Sequence, residues 1–210
     1  MTVARHINKT ETLAVLGYPH QWNSDHFRLT LASAPKPVYG HAYMIKTGRT
    51  PGITKADYLA QHVLTPMWNK RYLLRPRKYA TLAQQHALFT QCFSIGPFMA
   101  QQIIADLMYV EPLKSASDWH TWCAPGPGSQ RGLNLLLNLP LNKQWASDEF
   151  QSEVNQLQDE INDWWPSEFN LPPLHAQNVT NSLCEFSKYT LAQLGIRNPK
   201  RKYRPHALVS

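Results

Sequence analysis

The chain has 210 residues, of which 43% are hydrophobic, enough to bury a substantial core in one domain or one domain with appendages. Its three cysteines, Cys92, Cys123 and Cys184, are odd in number and form no Cys-x-x-Cys pair, which argues against a disulfide framework or a zinc site and fits a reducing cytoplasm. No apolar run is long enough to span a membrane and no basic-then-apolar signal start is present, while the formal net charge of +7 directs attention to polyanionic partners.

That charge is segregated. Residues 1–143 carry 15 Lys/Arg against 6 Asp/Glu, residues 144–196 carry 1 against 8, and residues 197–210 carry 5 against none. A basic body and a basic tail around an acidic helix suggest a polyanion on one face, although ordinary solubility also yields a basic protein. Residues 1–56 have few strong periodic signals and several breakers, including Pro19, Pro35, Pro37, Gly48, Pro51 and Gly52. His20, Asp25 and His26 read as loop and packing residues, since a metal set would need ligands from far away. Thr54-x-x-Asp57 then caps a helix carrying Tyr58, Leu59, His62 and Val63, which Pro66 interrupts.

Five cations follow within nine residues: Lys70, Arg71, Arg75, Arg77 and Lys78, interleaved with Tyr72, Leu73, Leu74 and Tyr79. The apolar residues can anchor the segment while Arg71, Arg75, Arg77 and Lys78 reach DNA phosphates; a solvated basic loop has the same composition. Thr81-x-x-Gln84 is a capping-box pattern and opens a helix with Leu82, Leu88 and Phe89. Gly96 and Pro97 end that segment and start another helix, where Ala100, Ile103, Ile104 and Leu107 form an apolar stripe and Gln101, Gln102 and Asp106 take other faces. A helix, a glycine turn and a helix can seat a DNA phosphate at Gly96, or can simply pack for stability.

Asp118, followed by Trp119 and Trp122, is a candidate general base. With Ser117 it equally fits the cap of a short helix. The stretch Ala124-Pro125-Gly126-Pro127-Gly128-Ser129-Gln130-Arg131-Gly132 lacks two N–H groups and is no Walker motif. Gly126, Gly128 and Ser129 still offer donors and Arg131 a planar cationic fork for a phosphate, although a purely structural turn reads the same way. Ser147 caps a long helix with Phe150, Val154, Leu157, Ile161 and Trp164 on one side, ended by Pro166. The last helix, His175 to Leu194, has Val179, Leu183, Phe186 and Leu194 as its core stripe, with Gln177 and Asn181 on a polar face assigned to substrate. Glu185 and Lys188 lie three apart and can pair there. Arg197, Arg201 and Arg204 belong to a basic arm that can track phosphates or remain without fixed structure.

Three motifs in order, Ser94-Ile-Gly-Pro-Phe-Met-Ala100, Ala124 to Leu133, and Leu183-Cys-Glu-Phe-Ser-Lys-Tyr189, resemble the phage thymine-hypermodification family. Its members are α-glutamyl/putrescinyl-thymine pyrophosphorylases, or amino acid:DNA transferases, and the 5-hydroxymethyluracil DNA kinases share a related helical domain. The likeness runs from about Tyr43 to Tyr189. It implies an all-α fold similar to helix-hairpin-helix DNA glycosylases, forming a single helical domain over 1–196 with a basic tail over 197–210.

The implied reaction replaces the pyrophosphate of 5-pyrophosphoryloxymethyl-uracil in double-stranded DNA with an amine or amino acid, on an extruded base. In that reading Arg131 and the Gly126–Gly128 turn hold the leaving group, Asp118 or Glu185 deprotonates the amine, and Lys188 holds a phosphate or fixes Glu185. Magnesium is a candidate aid to pyrophosphate departure, with no dedicated site in the sequence. Phe98 stands where lyase-type glycosylases carry a lysine, which excludes Schiff-base chemistry at that position. The lack of a kinase phosphate loop favours the transferase branch. A non-catalytic DNA-binding module and a base-excising glycosylase remain as alternatives.

Overall fold

The structure, a computed structural model, describes residues 1–18, 20–42, 52–164, 168 and 170–198. Among these, all regular structure is helical. The chain divides into two compact units, Met1–Trp122 and Cys123–Ser210.

The first unit begins with three helices, α1 (Thr2–Ile7), α2 (Thr10–Leu16) and α3 (Ser24–Ser33), in a region where the sequence offered little periodicity. Helices of six and seven residues make too few turns for a stripe to repeat. For α3 the signal was Asn23, whose side chain accepts the His26 N–H at 2.9 Å, with Phe27 and Leu31 buried one turn apart. Asp25 and His26 are thus helix residues, and Trp22 donates to Thr65 Oγ1 at 2.7 Å.

Thr54 caps α4 (Lys55–Tyr58) as expected, accepting the Asp57 N–H at 3.1 Å. Pro66, expected to interrupt this helix, leaves it continuous. The chain winds as a π-helix over Leu59–Leu64 and runs on into α5 (Thr65–Asn69), the Thr65 N–H reaching back to the Ala60 carbonyl. A proline ring crowds the carbonyl four residues earlier, and the wider turn ahead of Pro66 relieves that crowding without ending the helix.

After α6 (Arg71–Leu74) come α7 (Leu82–Thr90) and α8 (Pro97–Leu107), the expected helical hairpin. Its capping box is complete: Thr81 Oγ1 accepts from Gln84 N and Gln84 Oε1 accepts from Thr81 N, both at 3.1 Å. The turn departs from expectation at one point. Gly96 is extended (φ −72°, ψ 168°), and Ser94 takes the left-handed conformation (φ 62°), its hydroxyl hydrogen-bonded to that of Tyr58. Ala100, Ile103 and Ile104 are buried, and Asp106 and Gln102 face Arg5 of α1. Arg5 grips Asp106 with two bonds of 2.6 and 2.7 Å, tying the first helix to the hairpin.

The second unit consists of α9 (Pro127–Leu136), α10 (Ser147–Trp164) and α11 (Ala176–Gln193) around Cys123, Leu133, Phe150, Val154, Val179 and Leu183. The α10 stripe holds through Ile161, but Trp164 is exposed; Pro166 lies outside the described residues. Asn162 clamps the far end by donating to the Leu174 carbonyl at 3.0 Å and accepting its N–H at 2.8 Å.

The α11 stripe differs from the expected one. Val179 and Leu183 are buried, whereas Phe186 and Leu194 are exposed and Thr180, Ser187 and Leu191 take the inner line. The cause is close approach of α9. A Cβ on Gly132 would stand 2.1 Å from the Leu183 carbonyl oxygen, and one on Gly128 would stand 2.4 Å from Cys184 Sγ. Two backbones at that separation admit glycine and serine between them, and a phenylalanine is turned outward.

Candidate nucleic-acid interface

In the first unit the basic segment is held at both ends and open between them. The side chain of Gln85, itself buried, donates to the Leu74 carbonyl at 2.7 Å. At the other end, Asp118 Oδ1 accepts the Leu82 N–H at 2.8 Å and Oδ2 the Ala83 N–H at 3.0 Å. Both carboxylate oxygens are thus engaged by the N-terminus of α7, where the helix dipole also favours a negative charge. Asp118 is a long-range cap of α7, from 35 residues away, in place of the short local helix or the free base that the sequence suggested.

Between those anchors, Arg71 lies over the ring of Trp68 at 4.8 Å and that of Tyr72 at 4.3 Å, and Lys78 over Tyr79 at 5.0 Å. Arg75, Arg77 and Lys78 are exposed, and among the described residues none of Arg71, Arg75, Arg77 and Lys78 is in an ion pair. Unpaired, exposed cations on a fixed base are what a phosphate backbone requires. Gly96 sits apart from this segment in sequence, at the N-cap of α8, with open space beside its α-carbon.

In the second unit, Arg131 lines a cleft of about 410 Å³ together with Lys143 and Arg197. Its other polar walls are Gln130, Asn142 and Gln144, and among the described residues no carboxylate lines it. The Nε of Arg131 is buried without a hydrogen-bond partner among the described residues. Burial, followed by the nearby Arg197, lowers the guanidinium pKa from its usual value, opposed by Cys184. A guanidinium nonetheless keeps its proton, so the cleft holds cationic charge that an anion would relieve.

Lys143 and Arg197 reach the cleft through backbone devices that the sequence did not announce. Fully buried Asn134 donates to the Lys143 carbonyl at 2.9 Å and accepts from Trp145 Nε1 at 2.7 Å, while Gln130 accepts the Trp145 N–H at 3.1 Å. Lys143 Nζ then rests 3.6 Å from the centre of the Trp145 ring. Past α11, Gly195 takes φ 70° and both Ile196 and Arg197 donate to the Leu191 carbonyl at 3.0 Å. This left-handed helix cap folds Arg197 back onto the cleft instead of releasing it into a tail. Arg201 and Arg204 lie outside the described residues.

Other residues expected at this site are placed differently. The Gly126 N–H donates to Ser129 Oγ at 3.0 Å and the Ser129 hydroxyl returns to the Gly126 carbonyl at 3.1 Å, so these donors serve the start of α9. Gly128 is a packing glycine against Cys184. Gln177 is buried and donates to Asn181 at 3.1 Å. Glu185 and Lys188 pair at 2.5 Å on the exposed side of α11, and neither lines the Arg131 cleft. Such an exposed pair adds at most about 0.5 kcal/mol. Among the described residues, no group of three or more His, Cys, Asp or Glu side chains is placed to hold a metal ion, and no helix is long and apolar enough to cross a membrane.

Two surfaces whose cations are unopposed among the described residues, in a chain whose described regular structure is all helical, agree with the family comparison, in which the family described as 5-hmdU DNA kinase, helical domain, matches residues 1–195. The chain belongs to that family. No curated protein and no solved structure matches it. The match covers α1 to α11, with the hairpin, the basic segment, Arg131 and Lys143, and ends two residues before Arg197.

Proposed function

We propose that this helical domain holds DNA carrying 5-hydroxymethyluracil or a phosphorylated derivative of it during hypermodification of that base. The observation that carries the reading is the cleft around Arg131, Lys143 and Arg197, lined by no carboxylate among the described residues, in a chain of the 5-hmdU DNA kinase helical family. Each cation that neutralises a phosphate steepens the dependence of binding on salt by about 0.9 in log–log slope. Titration of duplexes containing 5-hydroxymethyluracil or thymine, over a range of salt, tests it. Arg131→Ala lowers affinity and reduces the slope by about 1. An unchanged slope and affinity would remove Arg131 from the interface.

A second reading, amine transfer onto 5-pyrophosphoryloxymethyl-uracil with release of pyrophosphate, is supported by the charge of the same cleft. Three cations exceed the need of one phosphodiester and match a pyrophosphate leaving group, whose developing charge they would neutralise. Deprotonation of the amine is left without an assigned residue, because Glu185 is absent from the cleft walls and Asp118 is engaged by α7. Mass spectrometry of nucleosides after incubating pyrophosphorylated DNA with amines decides this reading. A mass gain that Arg131→Ala abolishes supports transfer, and no gain with any amine leaves the holding role alone.

A further inference from the structure

The basic segment of the first unit contains a feature that phosphate binding leaves unexplained. Tyr79 is 84% exposed and adopts φ 69°, a left-handed conformation that a bulky residue rarely takes. Tyr72 is 74% exposed, and Arg71 lies over its ring. The exposed Tyr79 ring gains nothing from the core, and backbone strain of this kind persists only where surrounding structure imposes it. Here the imposing structure is visible: Gln85 fixes Leu74 before the segment, and the capping box and Asp118 fix α7 immediately after Tyr79.

We propose that Tyr79, supported by Tyr72, is a stacking platform for an unpaired nucleobase, so that the first unit prefers DNA whose strands are open at the target. This rests on the DNA reading above and adds the form of DNA that is held. Lys78 lies over one face of the Tyr79 ring at 5.0 Å, the other face of this exposed ring is offered to any base, and the adjacent Arg77 supplies a cation for the flanking phosphates, the combination that single-strand binding requires. A closed duplex keeps its bases stacked on one another and presents the platform with phosphates alone. An extruded or single-stranded base can lie on the ring.

The test uses fluorescence anisotropy on the full chain with three probes: a thymidine strand of about 12 nucleotides, the same strand with abasic positions, and its duplex. The base-bearing strand is expected to bind tightest. Tyr79→Ala should weaken it about 5- to 100-fold while leaving the abasic strand unchanged, and Tyr79→Trp should restore it. Tyr79→Gly keeps the left-handed backbone, so its melting temperature should equal or exceed that of the parent while its strand affinity falls. If Tyr79→Ala binds all three probes like the parent while Arg77→Ala weakens them, stacking is refuted and DNA binding stands. If the parent binds none of them, both readings fail.

Discussion

Replacing Gly132 with alanine puts a methyl carbon 2.1 Å from the Leu183 carbonyl oxygen, which is backbone of the facing helix and cannot swing aside. Ordinary contact begins near 3.4 Å, so α9 and α11 must separate by about 1.3 Å, the difference between the two distances. Overpacking of this kind costs about 1–3 kcal/mol. For a chain of this size that lowers the melting temperature by about 3–10 °C. The change also shifts the helix that carries Arg131, so on the function proposed above DNA affinity should fall with stability. Gly96→Ser is the control: φ is −72°, no atom of the described residues beyond its two chain neighbours lies within 4 Å of the added carbon, and serine is a good N-cap, so its melting temperature holds or rises. Differential scanning calorimetry on the two variants decides the matter. A Gly132→Ala protein melting within a degree of the parent would refute the close crossing and, with it, the account of why Ser187 replaces Phe186 on the inner line.

Asp118→Ala strips two backbone N–H groups of their acceptor and should destabilise the fold by about 1–2 kcal/mol, whereas Asp118→Asn, which keeps one acceptor oxygen, should lose less; urea denaturation reads both. Burial lowers the pKa of His6 below its ordinary 6.5, against the smaller raising effect of its bond to the Thr2 carbonyl. The folded state therefore favours neutral His6: its contribution is fully present above about pH 6.5 and is lost as pH falls through the lowered folded value. Melting temperatures should decline on acidification below neutrality, and His6→Gln should flatten that decline; an identical decline in the variant would assign it to other groups. Burial pushes the Cys123 thiol up to about 12, so a thiol reagent at mildly alkaline pH should leave Cys123 unmodified in the native protein and label it after unfolding, as peptide mapping would record.

Local rules read from sequence located much of the scaffold. Thr54, Thr81 with Gln84, and Pro97 each mark a helix start because capping is decided within four residues. The α11 stripe escaped the same treatment for a physical reason. Hydrophobic periodicity finds the face that is apolar, whereas the α9 crossing is governed by the face that is small, and Gly128, Gly132 and Ser187 carry no hydropathy signal. The first two helices escaped because two turns are too short to repeat a pattern and because a tie such as Arg5 to Asp106 spans about a hundred positions.

The cleft shows the same division between local and distant causes. Arg131 was legible because a fork-shaped cation next to a glycine-rich turn suggests an anion on chemistry alone. Lys143 and the placement of Arg197 were not: Lys143 belongs to no motif, and Arg197 reads in sequence only as the start of a basic arm. One is delivered by the buried amide of Asn134, an isolated polar residue in an apolar run, and the other by a glycine cap that reverses the chain after α11. Asn134 was the available clue: a buried amide persists in a core only when its hydrogen bonds are met, and meeting them fixes the loop that carries Lys143. Asp118 is the converse case, conspicuous in sequence because it is an acid among tryptophans. Its role is to hold α7 in place, and through α7 it fixes the end of the segment that exposes Tyr79.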